Sequence, residues 1–319
     1  MHSRFVSIAL AVMLFISLTV AVGYAEYGTP YPEKPEQEAE ITEPELLIFE
    51  NIRYGEHDKQ TFDLSLPVDA REEIGIVIYL HGGGWRGGDK VSVKKSFDTF
   101  QSNSDYATAS INYRLVRDGK NDIYDIIDDI TLAINQIKTF AASYSVNLTR
   151  VILCGHSAGG HLSLLYAYKY KDISPIEPVG VFALSPVPDL SLDVFFTENT
   201  LGDEEYMCNF MSRVFGEKIT PENRSEFTAL LDEYSPISYV SSETVPTVIL
   251  HGENDRTAPF IGSQLLCEKL SEYRVNHELV VFEDTKHSLK SNKKNKQYAD
   301  ELMLACTKSW FGIKEKNEQ

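Results

Sequence analysis

Ile74-Gly75-Ile76-Val77-Ile78-Tyr79-Leu80 is an unbroken apolar run, and a strand of that kind has to be covered on both faces. Shorter runs of the same character recur at 107–112, 150–154, 180–184, 247–250 and 278–282. Between them lie helical periodicities at 124–140, 159–170, 261–273 and 298–311, the first placing Ile127, Ile130, Ile134 and Ile137 near one face. Strands alternating with helices of this length require βαβ crossovers and a mostly parallel sheet. The expected fold is therefore α/β, doubly wound, in one domain. An early strand pair at 47–54 and 61–66 precedes it, the second alternating through Phe62, Leu64 and Leu66. With 43% hydrophobic residues in a chain of 319, there is enough apolar surface for one large core.

The two ends of the expected domain are set by composition. His2 and Arg4 precede an apolar stretch over 5–22, and Gly23-Tyr24-Ala25 follows with small residues at cleavage-site spacing. That is the layout of a secretory signal peptide over 1–25. The alternative is an uncleaved anchor, since the stretch is at the threshold for a membrane span. Either way the remainder is expected outside the cytoplasm, secreted or membrane-anchored. Residues 26–45 are rich in Glu and Pro and read as a flexible acidic linker, with ordered structure beginning near Leu46. The domain is expected over 46–319.

One stretch breaks the alternation. From about 186 to 235 there is no strand pattern, and Phe195, Phe196, Tyr206, Met207, Phe210, Met211 and Phe215 punctuate an acidic background. It reads as a helical insertion with a small core of its own, placed as a cap over the carboxyl edge of the sheet, where open α/β sheets bind ligands. Of the four cysteines, Cys154 falls in a buried strand, and Cys267 and Cys306 lie on two late helices where a bridge is conceivable. No Cys/His spacing fits structural zinc.

The chemistry is concentrated in two glycine-rich turns. Gly155-His156-Ser157-Ala158-Gly159 stands between a buried strand and a helix, the context in which G-x-S-x-G exposes a serine hydroxyl above a sheet. His81-Gly82-Gly83-Gly84-Trp85 ends another apolar strand, and its glycines can turn backbone N–H groups towards a developing oxyanion. A nucleophilic serine needs a base, and the base an orienting acid. Asp255 and His287 each follow a strand at its carboxyl end, so Ser157, Asp255 and His287 can converge at one edge in the chain order nucleophile, acid, base. Glu253 is the substitute acid. Asp284 is too near His287 in sequence, His277 lies at the wrong end of its strand, and His156 and His161 read as packing or polar surface residues.

With these residues in place, the chain from about 47 onward resembles the α/β-hydrolase superfamily. Within it, the chain is similar to the esterase/lipase group with an HGGGW loop, near hormone-sensitive-lipase-like, feruloyl-esterase-like and kynurenine-formamidase-like enzymes. Asn112-Tyr113-Arg114-Leu115, Ser235-Pro236 and His251-Gly252 extend the match, while Asn112 and Ala258 stand where such enzymes often carry Asp and Val. The resemblance implies that Gly83, Gly84 and Ala158 supply the oxyanion-hole N–H groups and that neither metal nor organic cofactor is needed. It implies hydrolysis of a carboxylic ester of short or medium acyl chain, or of an acetyl or feruloyl type, on a small molecule or a glycan. An amidohydrolase such as an arylformamidase, a peptidase, and a non-catalytic binding protein are the alternatives.

A formal charge of −17 argues against a nucleic-acid partner. Membrane contact is expected only through an uncleaved N-terminal segment. Lys286, Lys290, Lys293, Lys294 and Lys296 form a basic run beside His287, read as a solvated surface or as an attraction for anionic substrates.

Overall fold

Every residue of the central strand after its first is buried, as the apolar run at 74–80 requires. The computed structural model describes residues 40–42, 46–68, 73–93, 105–117, 121–195, 203–289 and 293–313. The expected signal peptide, most of the acidic linker, Phe196 and Lys290 lie outside the described residues.

Nine strands form one sheet among the described residues: β1 (Glu40–Thr42), β2 (Leu46–Arg53), β3 (Thr61–Pro67), β4 (Glu73–Leu80), β5 (Ala107–Ile111), β6 (Asn147–His156), β7 (Glu177–Leu184), β8 (Thr247–Gly252) and β9 (His277–Phe282). Their spatial order is β1-β2-β3-β5-β4-β6-β7-β8-β9. From β5 to β9 all pairings are parallel, whereas β1, β2 and β3 join antiparallel at one edge. The chain enters the sheet at Glu40, before the expected start at Leu46, because a three-residue strand pairs Ile41 with Leu47.

Seven α-helices complete the described fold: α1 (Ile123–Ser143), α2 (Ala158–Lys169), α3 (Leu192–Phe195), α4 (Glu204–Phe215), α5 (Thr228–Tyr234), α6 (Phe260–Glu272) and α7 (Lys293–Phe311). Alternate residues of the parallel strands feed two cores. Ile76, Ile78 and Leu80 pack with α1, α2 and α6, while Val77 and Tyr79 face Ala299 and Met303 of α7. The sheet is thus covered on both faces, which is what doubly wound means in physical terms.

This arrangement overturns the conceivable bridge between Cys267 and Cys306. Cys267, on α6, packs against the first core, and Cys306, on α7, against the second, so the sheet stands between them. All four cysteines are free, and Cys154 is buried in β6 as its sequence context implies.

The stretch between β7 and β8 contains no strand among the described residues and holds α3, α4 and α5, joined by turns and coil. Met207, Cys208, Met211 and Val214 of α4 are buried. The insertion closes at its base on one hydroxyl. Ser235 Oγ accepts from the Leu190 N–H and donates to the Leu231 carbonyl, both at 2.8 Å, and the Ile237 N–H bonds the Pro188 carbonyl at 3.0 Å.

Candidate active site

Ser157 joins β6 to α2 with φ 57° and ψ −122°. A side chain that is not glycine rarely adopts this backbone, and it costs of order 1–3 kcal/mol wherever the surroundings enforce it. Here they do. The Ser157 N–H bonds the Leu184 carbonyl of β7 at 2.8 Å, and α2 begins at the next residue. Gly159 lies so close to β4 that a Cβ there would meet the Leu80 carbonyl oxygen at 2.0 Å, so the helix can follow the strand this tightly only with glycine.

Asp255 sits on the loop after β8, and His287 on the loop after β9. His287 Nδ1 donates to Asp255 Oδ2 at 2.7 Å. The other carboxylate oxygen, Oδ1, accepts the Thr257 and Ala258 N–H groups at 2.8 and 3.1 Å, which fixes the carboxylate plane. In the sequence His251 stands out only as part of a motif. It is fully buried, and its Nε2 stands 3.2 Å from Asp255 Oδ2, so the acid carries two imidazoles. Burial opposes ionisation of Asp255, but the hydrogen bonds from His251 and His287 outweigh it and hold the carboxyl well below the usual carboxylate range.

The rival residues take other positions. Glu253 is exposed and accepts from the Asp284 N–H at 3.4 Å. His277 starts β9, at the end opposite His287, and bonds the Val275 carbonyl. His156 is half-buried and His161 fully buried. His156 Nε2 donates to the His287 carbonyl at 2.9 Å, their rings 4.8 Å apart, and so steadies the loop that carries His287. His161 is 0% exposed, accepts from the Trp85 indole N–H at 3.1 Å and donates to the Tyr234 carbonyl at 2.7 Å. Both connections are made in three dimensions only, and no local sequence signal announces them.

The HGGGW turn lies against the serine: a Cβ on Gly82 would stand 3.2 Å from Ser157 Cβ. Gly83 has φ 126°, and a Cβ there would meet the Gly87 carbonyl oxygen at 2.2 Å, so only glycine fits. Gly84 and Trp85 follow, each with φ 58°. His81 pins the turn by donating from Nδ1 to the Gly82 carbonyl at 2.8 Å. Its ring stacks on Tyr113 at 4.2 Å, and the Tyr113 hydroxyl bonds the His81 carbonyl. Ala158 is the buried first residue of α2, on the other side of Ser157.

Beside the acid opens a cavity of about 430 Å³, lined by Glu253, Asn254, Asp255, Arg256, Phe260 and Gln264 among others. Among the described residues no group of three or more His, Cys, Asp or Glu could hold a metal ion, and no helix is long and apolar enough to cross a membrane. Of the basic run, Lys286 is exposed and Lys296 pairs with Asp300 at 3.9 Å.

Residues 62–270 match the BD-FAE family model. The chain belongs to that family. Residues 231–314 also match the dienelactone hydrolase family model, and the two matches together with the relatives below support the α/β-hydrolase esterase group. This BD-FAE member is 23% identical over 299 residues to a probable isoprenylcysteine alpha-carbonyl methylesterase of Arabidopsis thaliana, covering 90% of this chain and 57% of that one. It is 24% identical to the probable carboxylic ester hydrolase LipM of Mycobacterium tuberculosis, covering 73% and 53%. With the kynurenine formamidase of Danio rerio it shares 28% over 151 residues, covering 44% and 46%. The chain thus spans about half the length of these curated relatives. Among solved structures, esterase B of Lactobacillus rhamnosis superposes with a TM-score of 0.66 at 21% identity over 96% of both chains. The thermophilic esterase Est2 of Thermogutta terrifontis does so with 0.62 at 20%, covering 91% of this chain and 98% of that one. At these identities the shared property is the fold.

Proposed function

We propose that this BD-FAE member is a serine hydrolase that cleaves carboxylic esters through an acyl-enzyme on Ser157. The observation that carries the reading is the 2.7 Å hydrogen bond from His287 Nδ1 to a buried Asp255, on loops at the same sheet edge as the strained Ser157 turn. Asp255 fixes the tautomer of His287, leaving Nε2 as the base. His287 takes the Ser157 proton as the serine oxygen attacks the ester carbonyl. The Gly83, Gly84 and Ala158 N–H groups receive the oxyanion, each donor worth roughly 3–4 kcal/mol of barrier. His287 then returns the proton to the departing alcohol. Water, deprotonated by His287, attacks the acyl-enzyme carbonyl and releases the acid and free Ser157.

The default substrate is an ester of a short or medium acyl chain. The likeness to a formamidase supports a second reading, hydrolysis of an activated amide by the same residues. The test is hydrolysis of short-chain p-nitrophenyl esters beside a matched formamide. Ester turnover that disappears in Ser157→Ala is the expected result. Turnover of the formamide alone would move the assignment to amides, and turnover surviving in Ser157→Ala would refute the acyl-enzyme.

A further inference from the structure

We propose that His161 is a positioning residue that ties the oxyanion loop and the helical insertion to the nucleophile helix. On this view the Gly83 and Gly84 donors reach their working place only with the insertion seated. The inference rests on the serine-hydrolase reading and names a part of its machinery that touches no substrate.

Three separate pieces of chain meet at this one ring. His161 lies one helical turn after Ser157, its N–H bonded to the Ser157 carbonyl at 2.9 Å. Its Nδ1 takes the indole N–H of Trp85, the residue next to Gly84, and its Nε2–H reaches the carbonyl of Tyr234, the last residue of α5. An indole N–H can only donate and a carbonyl can only accept, so the two partners together demand one neutral tautomer. Burial pushes the His161 imidazole down to about 4, so that tautomer persists at neutral pH.

The loop needs such a tie. Trp85 holds φ 58°, a backbone that a bulky side chain leaves unless packing over-determines it. It is 1% exposed, and its carbonyl accepts the Val116 N–H at 2.9 Å. The indole stands perpendicular to the His161 ring at 4.9 Å. The insertion also touches the loop directly: a Cβ on Gly84 would lie 3.4 Å from the Phe210 ring, whose centroid is 6.3 Å from that of Trp85. An apolar ring at 161 would fill the same space. Only a side chain with a donor and an acceptor also fixes the indole, and with it the peptide between Gly84 and Trp85.

Two replacements separate filling from fixing. His161→Phe keeps a ring and loses both hydrogen bonds, whereas His161→Gln keeps one donor and one acceptor. For a p-nitrophenyl ester, His161→Phe is expected to lower kcat about 10- to 100-fold with KM within about twofold, because oxyanion contacts act in the transition state. Inactivation by an alkyl phosphonate, which mimics that state, should slow by a similar factor. His161→Gln should recover most of both. The Trp85 indole N–H resonance, distinguished from that of Trp310 with Trp310→Phe, should shift in His161→Phe and return in His161→Gln. A folded His161→Phe with wild-type kcat, or with a raised KM alone, overturns the proposal. Should that variant not fold, Trp85→Phe removes the donor from the other side, and an unchanged kcat there overturns it equally. Wild-type protein that neither turns over esters nor reacts with the phosphonate refutes the serine-hydrolase reading instead. The tie is then judged by the indole resonance, and no shift in His161→Phe rejects it.

Discussion

Asp255 does more than face a histidine. Its Oδ1 is committed to the Thr257 and Ala258 N–H groups, so an asparagine in its place would keep the side-chain carbonyl there and turn its NH₂ towards His287 and His251. His287 Nδ1 would then have to accept, and the proton would move to Nε2, where it cannot take one from Ser157. Asp255→Asn should therefore lower kcat by about 10⁴-fold with the fold intact, the loss known for a wrong tautomer in such a triad. Glu253→Gln, measured alongside, should change kcat little, since Glu253 bonds the Asp284 N–H. Equal losses in the two variants would reopen the choice of acid. Ser157, Asp255 and His287 are legible in sequence because each follows a strand. His251 as a second donor to Asp255 is not, since its role depends on how the loop folds back upon the strand.

At the scale of elements, the strands buried on both faces can be read from their apolar runs, and 74–80 is the clearest. β1 cannot: Glu40-Ile41-Thr42 has one apolar residue and is made a strand by β2 beside it. The start of α1 is also clearer in three dimensions. Asp122 caps it with a reciprocal pair to Asp125, which uses Asp where Glu or Gln is the usual signal. The insertion is recognisable by the absence of a strand pattern, but its closure depends on a contact 45 residues apart, Leu190 N–H to Ser235 Oγ. Removing that hydroxyl leaves a buried N–H without its acceptor and should cost about 1–3 kcal/mol. Denaturant melts of Ser235→Ala should show this loss, and a variant as stable as wild type would mean that the insertion is held elsewhere.

The molecule as a whole carries an acid sensitivity distributed over its buried and half-buried histidines. Burial pushes His81 and His156 below the ordinary histidine value, and His161 from 6.5 down to about 4. Each accordingly takes its proton at a lower pH when folded than when unfolded. Below the unfolded value of about 6.5 the unfolded chain binds more protons, so their contribution is whole above it and is lost as the pH falls, for His161 down to about 4. His161 alone is worth about 3 kcal/mol across that window. Asp255, held low, adds a loss of the same sign at still lower pH. Urea midpoints should fall between about pH 7 and about pH 5, less steeply in His161→Gln, and midpoints level over that interval would contradict it. The meeting of Leu190 and Ser235 has a different kind of consequence. A stretch whose two ends almost touch is, to the sheet beneath it, a cassette: it can be lengthened, shortened or exchanged without displacing β6, β8 and β9, which lead into Ser157, Asp255 and His287. If the proposed hydrolysis holds, exchanging that one cassette would alter what the site meets while sparing the hydrolytic residues, so long as each replacement returns a carbonyl to where Tyr234 now offers it.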